Sequence, residues 1–211
     1  MLNIKVNMKE EQNTEQAILK AAEKEFIEKG YALSKTTEIA KAAGVTHAML
    51  HYYFRTKENL FDKVFQEKSR LIAGSFASIV NEDLPFLEKV AKSVEMHFNF
   101  LINNPKLAFF VVSEIVANKE RQDTCKKMFL PIINNTLRKL GQSIDEEVAK
   151  GTIRHIEPFD LLLSVISLNA FVFLAHPIVD MITNGDEKVC EDFLEHRKKE
   201  NIELIISRLR K

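Results

Sequence analysis

Cysteine is scarce in this chain: among 211 residues only Cys125 and Cys190 carry a thiol. Two thiols are too few for a disulfide framework and their separation fits no metal-ligand spacing, so the sequence reads as one suited to a reducing cytosol. A redox-sensing pair is the sharper alternative, and only Cys125 has basic sequence neighbours, Lys126 and Lys127, to favour a thiolate. Glycine is sparse too, six residues scattered singly, so no phosphate-cradling loop can be assembled. Neither a Gly-x-Ser-x-Gly elbow nor a His-Glu-x-x-His pair occurs, and no catalytic arrangement emerges, which points away from an enzyme. Charge of one sign is missing as well. With 30 basic and 30 acidic residues, bulk electrostatics says nothing about nucleic acid. The longest apolar run, Leu161 to Ala175, is interrupted by Ser164, Ser167 and Asn169 and falls short of the roughly 20 apolar residues a bilayer demands. Met1 to Gln12 is polar, without the apolar core of an export signal. The expectation is a cytoplasmic protein with no membrane partner and no cofactor.

What the sequence does hold is helical periodicity. Residues 1 to 13 read as a frayed arm carrying Lys5 and Lys9. Thr14 to Lys29 follows as an amphipathic helix with Ile18, Ala21, Ala22 and Phe26 inward, ended by Gly30. Between Ser34 and Leu60 two short helices are joined by a tight turn. Thr36 or Thr37 can cap the first through its hydroxyl, and Glu38 suits the positive end of its dipole. Ile39, Ala40 and Ala43 give it a small apolar face. Gly44 supplies a left-handed residue to stop it, and Thr46 caps the next helix. In that second helix Leu50, Tyr53 and Phe54 fall on one side, with Thr46, His47, Ala48, His51 and Tyr52 on the other. A helix that buries one face and offers small, polar and aromatic groups on the opposite one suits a DNA-reading helix-turn-helix. From Lys29 to Lys57, Lys29, Lys35, Lys41, Arg55 and Lys57 stand against Glu38 alone, a modest basic patch where phosphates would be met.

The stretch Thr37 to Thr46, followed by Leu50, Tyr53-Phe54 and Lys57-Glu58-Asn59-Leu60, resembles the DNA-binding region of the TetR (tetracycline-repressor-like) family. Ile18-Leu19, Ala21-Ala22, Phe26 and Gly30-Tyr31 match that family's first helix, so the resemblance covers residues 14 to 65. It implies that Thr36 or Thr37 bonds phosphate from the start of the second helix. It also implies that Thr46, His47 and Ala48 open the recognition helix, that His51 and Tyr52 project one turn further, and that Lys57 holds a phosphate. Tyr53 lies at the margin, as much core aromatic as phosphate contact. Family members commonly carry a basic or polar residue where His47 sits, glycine at Ala48 and tyrosine at His51, which leaves the preferred bases open. His47 and His51, four apart, have a spacing that can bind a metal ion, but two ligands without a third rarely hold zinc, and no metal site is expected. The resemblance further implies a homodimer on double-stranded DNA with a palindromic operator, since a twofold sets two recognition helices in successive major grooves about 34–36 Å apart.

The remainder reads as all-α too, giving a fold class of an all-α chain in two parts: a helix-turn-helix DNA-binding domain with its arm over 1–56, and a helical effector-binding and dimerisation domain over 57–211. Thr56 caps a fourth helix with Leu60, Phe61, Val64 and Phe65, and Asp83-Leu84-Pro85 opens another carrying Phe86, Val90, Val94, His97, Phe98 and Leu101. Lys106 to Asn118 is apolar almost all round and predicts a buried helix. Pro131 predicts a start, kink or break. Apolar walls with a few polar anchors could line a pocket for an unknown small-molecule effector, with His97, Phe98, Phe110, Glu114, Phe129, Asn169 and Phe173 as candidates. Each of these phenylalanines suits plain core as well. Glu114, a carboxylate in an apolar helix, must reach solvent or a basic partner, or else anchor a ligand. Leu161, Val165, Leu168, Val172, Ile202, Ile205 and Leu209 on the last two long helices are candidates for the twofold interface. The function expected is a transcriptional regulator, a repressor released by a small apolar or amphipathic ligand. Two alternatives stand beside it: a regulator controlled by a protein partner with no small-molecule effector, and a helical carrier or enzyme with a vestigial helix-turn-helix.

Overall fold

The structure, a computed structural model, describes residues 2–77 and 84–211, with the side chains of 2–12 and 75–77 left outside the description. The reading of Lys5 and Lys9, and of a helix start at Asp83, falls outside the described residues. Ten helices and no strand occur among the described residues: α1 Leu2–Leu33, α2 Thr36–Ala42, α3 His47–Phe54, α4 Lys57–Ala77, α5 Phe86–Asn103, α6 Leu107–Ala117, α7 Lys119–Ala149, α8 Pro158–Leu174, α9 His176–Ile182 and α10 Glu187–Leu209. The chain divides into two compact units, Met1–Ser69 and Arg70–Lys211. That division lies inside α4, whereas the sequence reading sets it ahead of this helix at 56/57.

In the first unit α1 begins at Leu2, so the backbone read as a frayed arm is helical; no proline or glycine precedes Gly30 to break it. Gly30 then leaves the helical region (φ 69°, ψ 176°), a conformation glycine reaches without steric cost. Ser34 secures the corner by donating its hydroxyl to the Gly30 carbonyl at 2.6 Å. Ile18, Leu19, Ala22 and Phe26 of α1 are buried, as are Ile39, Ala40, Leu50, Phe54, Leu60, Phe61, Val64 and Phe65 from α2, α3 and α4. Edge-on aromatic contacts knit them, with Phe61 at 4.8 Å from Phe26 and 5.1 Å from Tyr31. Such pairs contribute about 0.5–1.5 kcal/mol beyond the apolar area they bury.

In the second unit α5, α8 and α10 pack around Val90, Val94, Ile144, Ile153, Leu161, Val165, Ile205 and Leu209. A smaller cluster gathers Phe98, Leu101, Ala108, Val172 and Phe173, with Phe98 and Phe173 edge to face at 5.4 Å. Two expectations are corrected here. Helix α7 continues through Pro131, so of the start, kink or break expected there the start and the break do not occur. Helix α6 is buried on one side only: Leu107, Ala108, Phe110, Val111 and Glu114 face inward while Phe109, Val112 and Val116 are exposed. Its uniform apolarity concealed that periodicity. Among the described residues no single helix is long and apolar enough to cross a membrane.

Candidate functional site

The helix-turn-helix is assembled from local signals. Lys35, not Thr36 or Thr37, occupies the cap of α2 and supplies no side-chain hydrogen bond, so the hydroxyl cap expected there is absent and both threonines sit inside the first turn. Gly44 takes φ 70°, and the Val45 amide donates to the Ala40 carbonyl at 3.0 Å, closing the turn. Thr46 caps α3 as expected, its hydroxyl accepting from the Met49 amide at 3.2 Å, a contact that stabilises the helix by about 1 kcal/mol. Thr56 does the same for α4 through the Asn59 amide at 3.1 Å. Arg55 between the two helices holds φ 62°, which lets α3 end and α4 start within two residues.

Leu50 and Phe54 anchor α3 in the core, and the opposite face is open: Thr46, His47, Ala48 and His51 are exposed, and Tyr52 is 65 % exposed. Tyr53 is half-buried, in keeping with its marginal position. His47 and His51 meet edge to face at 4.4 Å, but their nitrogens are engaged apart from one another. His47 Nε2 lies 2.9 Å from the Thr36 hydroxyl, tying α3 to α2, while Thr37 stays exposed. His51 Nδ1 lies 2.9 Å from the Arg55 carbonyl. A carbonyl only accepts, so Nδ1 carries a proton, and in the neutral form of the ring Nε2 is then the acceptor. In a major groove that acceptor suits the exocyclic amine of adenine or cytosine. Of the basic patch, Lys29 is paired with Glu25 at 2.8 Å. Lys57 lies 4.5 Å over the Tyr31 ring and Arg55 5.9 Å over that of Tyr52. Lys35, Lys41 and Arg55 are exposed.

The second unit holds a cavity of about 230 Å³ walled by α5, α6, α7 and α8 and by Ile72 and Ala73 at the far end of α4. His97, Phe129 and Thr136 are among its lining residues, and the rest is aliphatic or aromatic. Of the other candidates, Phe98, Phe110 and Phe173 are buried, Phe98 and Phe173 as core rather than lining. Glu114 has the basic partner: Arg121 Nη1 donates to it at 2.5 Å, both side chains being nearly buried. Asn118 sets up that pair by capping α7, its Oδ1 accepting from the amides of Glu120 and Arg121.

Asn169 lies at the centre of a buried polar chain. Its Nδ2 donates to the Val94 carbonyl at 2.9 Å and reaches His97 Nδ1 at 3.1 Å, while its Oδ1 accepts from Asn201 Nδ2 at 2.9 Å. The amide faces an acceptor at one end and a donor at the other, which fixes its orientation and makes His97 Nδ1 the acceptor. Burial pushes His97 down to about 4, so it is neutral at physiological pH. Protonation in the unfolded chain begins below its ordinary value near 6.5, whereas the folded protein resists it until about pH 4. Stability is therefore full above pH 6.5 and falls as pH drops toward 4. Lowering pH from 7.5 to 5 should remove about 2 kcal/mol, and His97→Gln should flatten that slope in urea titrations at the two pH values. Asn201 escaped the sequence reading because a polar residue in a charged helix carries no distinguishing signal; so did Arg121, although the next helix start after an internal Glu is where a partner could be sought.

The dimer candidates require correction. Leu161, Val165, Val172, Ile205 and Leu209 are buried in the protomer's own core and Leu168 and Ile202 pack against it, so they do not form an open face. Exposed instead are Phe159, Leu163 and Phe171 on α8 and Val189, Phe193 and Leu204 on α10, Phe171 by 67 %. Neither cysteine forms a disulfide; Cys125 is buried and Cys190 half-buried. Burial, with Asp180 and Glu191 nearby, pushes the Cys190 thiol up, away from the reactive thiolate.

The family described as "Bacterial regulatory proteins, tetR family" matches residues 18–64. The "Fatty acid metabolism regulator protein" of Bacillus subtilis (strain 168) is 26 % identical over 147 residues, 70 % of this chain and 74 % of that protein. Among solved structures, the transcriptional regulator FadR from Bacillus subtilis in complex with stearoyl-CoA superposes with a TM-score of 0.64 at 22 % identity, covering 92 % of this chain and 98 % of that one. A second, a fatty acid metabolism regulator of Clostridium perfringens, gives 0.66 at 22 % identity over 91 % and 97 %. These two structural likenesses speak to the fold.

Proposed function

We propose, for a chain that belongs to the TetR family of bacterial regulators, that it works as a homodimeric repressor whose grip on a palindromic operator is released by a small apolar or amphipathic molecule. The observation that carries this reading is the path of α4. It starts at Lys57, with only Arg55 and Thr56 between it and the recognition helix, and its far end contributes Ile72 and Ala73 to the wall of the cavity. A guest that needs more room in the cavity presses on the helix that continues into the DNA-reading unit. It need only bind the released state better by a few kcal/mol to empty the operator.

The DNA face is formed by Thr37, Thr46, His47, Ala48, His51 and Tyr52, with Thr36, Tyr53 and Lys57 at its margin; the exposure of α3 supports this. Twofold pairing through the exposed apolar side chains of α8 and α10 would bury surface that a lone protomer leaves in water. The ligand class is supported by the apolar lining and by the relative that holds stearoyl-CoA. A regulator that meets bacterial chromosomal DNA works in the cytoplasm, and its chemistry is binding rather than catalysis.

Selection of bound duplexes from a random pool tests the DNA half of the reading. The recovered sites should be twofold symmetric, with half-sites centred about one helical turn apart or a multiple of it. A pool that stays random, or that converges on an asymmetric single site, would overturn it.

A further inference from the structure

The two histidines of α3 sit one turn apart on its open face, yet their ring nitrogens are not equally available. His47 Nε2, the outermost atom of its side chain, lies 2.9 Å from the Thr36 hydroxyl of α2. A hydroxyl can donate to a bare ring nitrogen or accept from a protonated one, so this contact survives any protonation state of the ring. His51 is held from the other side: its Nδ1 lies 2.9 Å from the carbonyl of Arg55, where α3 has ended and the backbone takes φ 62°. Its own outermost nitrogen, Nε2, has no partner among the described residues. Between these two anchors the rings meet nearly at right angles, 84°, with centroids 4.4 Å apart. Thr36, His47, His51 and the Arg55 carbonyl thus form one run across α2, α3 and the corner before α4, made of side chains that are exposed or half-buried.

We propose that the two histidines divide the work: His51 reads the base, and His47, held by Thr36, is a positioning residue that keeps the His51 ring in the orientation the groove requires. To meet a base through Nε2, His47 would have to give up its bond to Thr36, exchanging one hydrogen bond for another at little net gain. Its remaining nitrogen, Nδ1, adjoins Cγ close to the backbone and reaches less far into a groove. His51 exchanges only water for a base. Order is the second consideration. Helix α3 is eight residues long, and Leu50 and Phe54 anchor its inner face alone. An outward imidazole left to itself would have to be fixed on meeting DNA, at a cost to affinity, whereas one wedged between a neighbouring ring and a carbonyl is fixed beforehand. The division of labour rests on the reading that α3 lies in a major groove, and adds which imidazole the bases meet and what aims it.

Operators selected with the full-length wild-type protein can be varied one base pair at a time and followed by fluorescence anisotropy, with thermal unfolding alongside. Thr36→Val keeps the shape of the side chain and removes the hydroxyl. It should weaken the selected operator by about 5-fold to 100-fold over the two half-sites, since ordering of the rings then falls on the binding step. It should also blunt discrimination at the base pair whose preference His51→Ala erases. His47→Ala should blunt that same pair and no other, and adding Thr36→Val to it should cost nothing more, because Thr36 acts through His47. Thr36→Ser, which restores the hydroxyl, should bind like wild type. A merely structural role would move the unfolding midpoint and leave the shape of the base profile alone. If His47→Ala erases preference at a pair of its own, His47 is a reader and the division is overturned. A Thr36→Val protein that binds every duplex like wild type overturns it as well. Failure of the wild-type protein to select any sequence would instead overturn the DNA-binding reading itself.

Discussion

His51→Ala is expected to weaken operator binding by roughly 30-fold to 10⁴-fold while leaving the unfolding midpoint almost unmoved. One acceptor per half-site sets the size of the loss. With Nδ1 donating to the Arg55 carbonyl, the neutral form of the ring offers Nε2 to a base amine. Loss of a good base contact costs about 1–3 kcal/mol. A twofold dimer loses it in both half-sites, about 2–6 kcal/mol together, and each 1.4 kcal/mol is tenfold in affinity. The side chain is exposed, so the fold barely notices its removal. Fluorescence anisotropy on a selected operator gives the magnitude, and a panel of single-base variants gives the mechanism. His51→Ala should flatten discrimination at one base pair per half-site. Lys57→Ala should instead weaken every sequence alike and reduce the slope of log K against log salt by about one for each copy. If His51→Ala lowered affinity evenly across all bases, His51 would be a phosphate ligand and the acceptor argument would fail.

The second large effect lies far from DNA. Glu114→Ala leaves the nearly buried Arg121 guanidinium without its carboxylate, and breaking such a pair from one side costs about 3–5 kcal/mol. That is a large part of the 5–15 kcal/mol by which a typical domain stands folded. Urea denaturation should show the midpoint drop, with Glu114→Gln milder because its amide oxygen still accepts. The double replacement Glu114→Leu with Arg121→Met should recover much of the loss, since matched apolar groups can replace a buried pair at little cost. A Glu114→Ala protein as stable as wild type would show that the pair is solvated in solution.

These two sites also mark where the sequence could be read and where it could not. The helix-turn-helix is written in short-range chemistry: the Thr46 and Thr56 caps, the left-handed Gly44, and the alternation of Leu50 and Phe54 with His47, Ala48 and His51 all act within a few residues. The cap of α2 misled because two threonines adjoin and Lys35 holds the extended backbone just before them. In the second unit the decisive facts are long-range. Helix α8 is apolar around most of its circumference, so nothing local told Leu161 and Val165, which face the protomer's core, from Leu163 and Phe171, which face outward. Glu114 announced that it needed a partner, and the alternatives included the correct one, but Arg121 is brought to it by the α6–α7 corner. The arm failed for the opposite reason, since polar composition suggested fraying where nothing forbade a helix.

The Asn169 chain has a mechanical consequence. Through the Val94 carbonyl, His97 and Asn201 it ties α5, α8 and α10 together by hydrogen bonds, whereas the cavity's lining from α6 and α7 is apolar except for Thr136. A guest that enlarges the cavity should therefore leave this tie in place and displace the walls contributed by α4, α6 and α7.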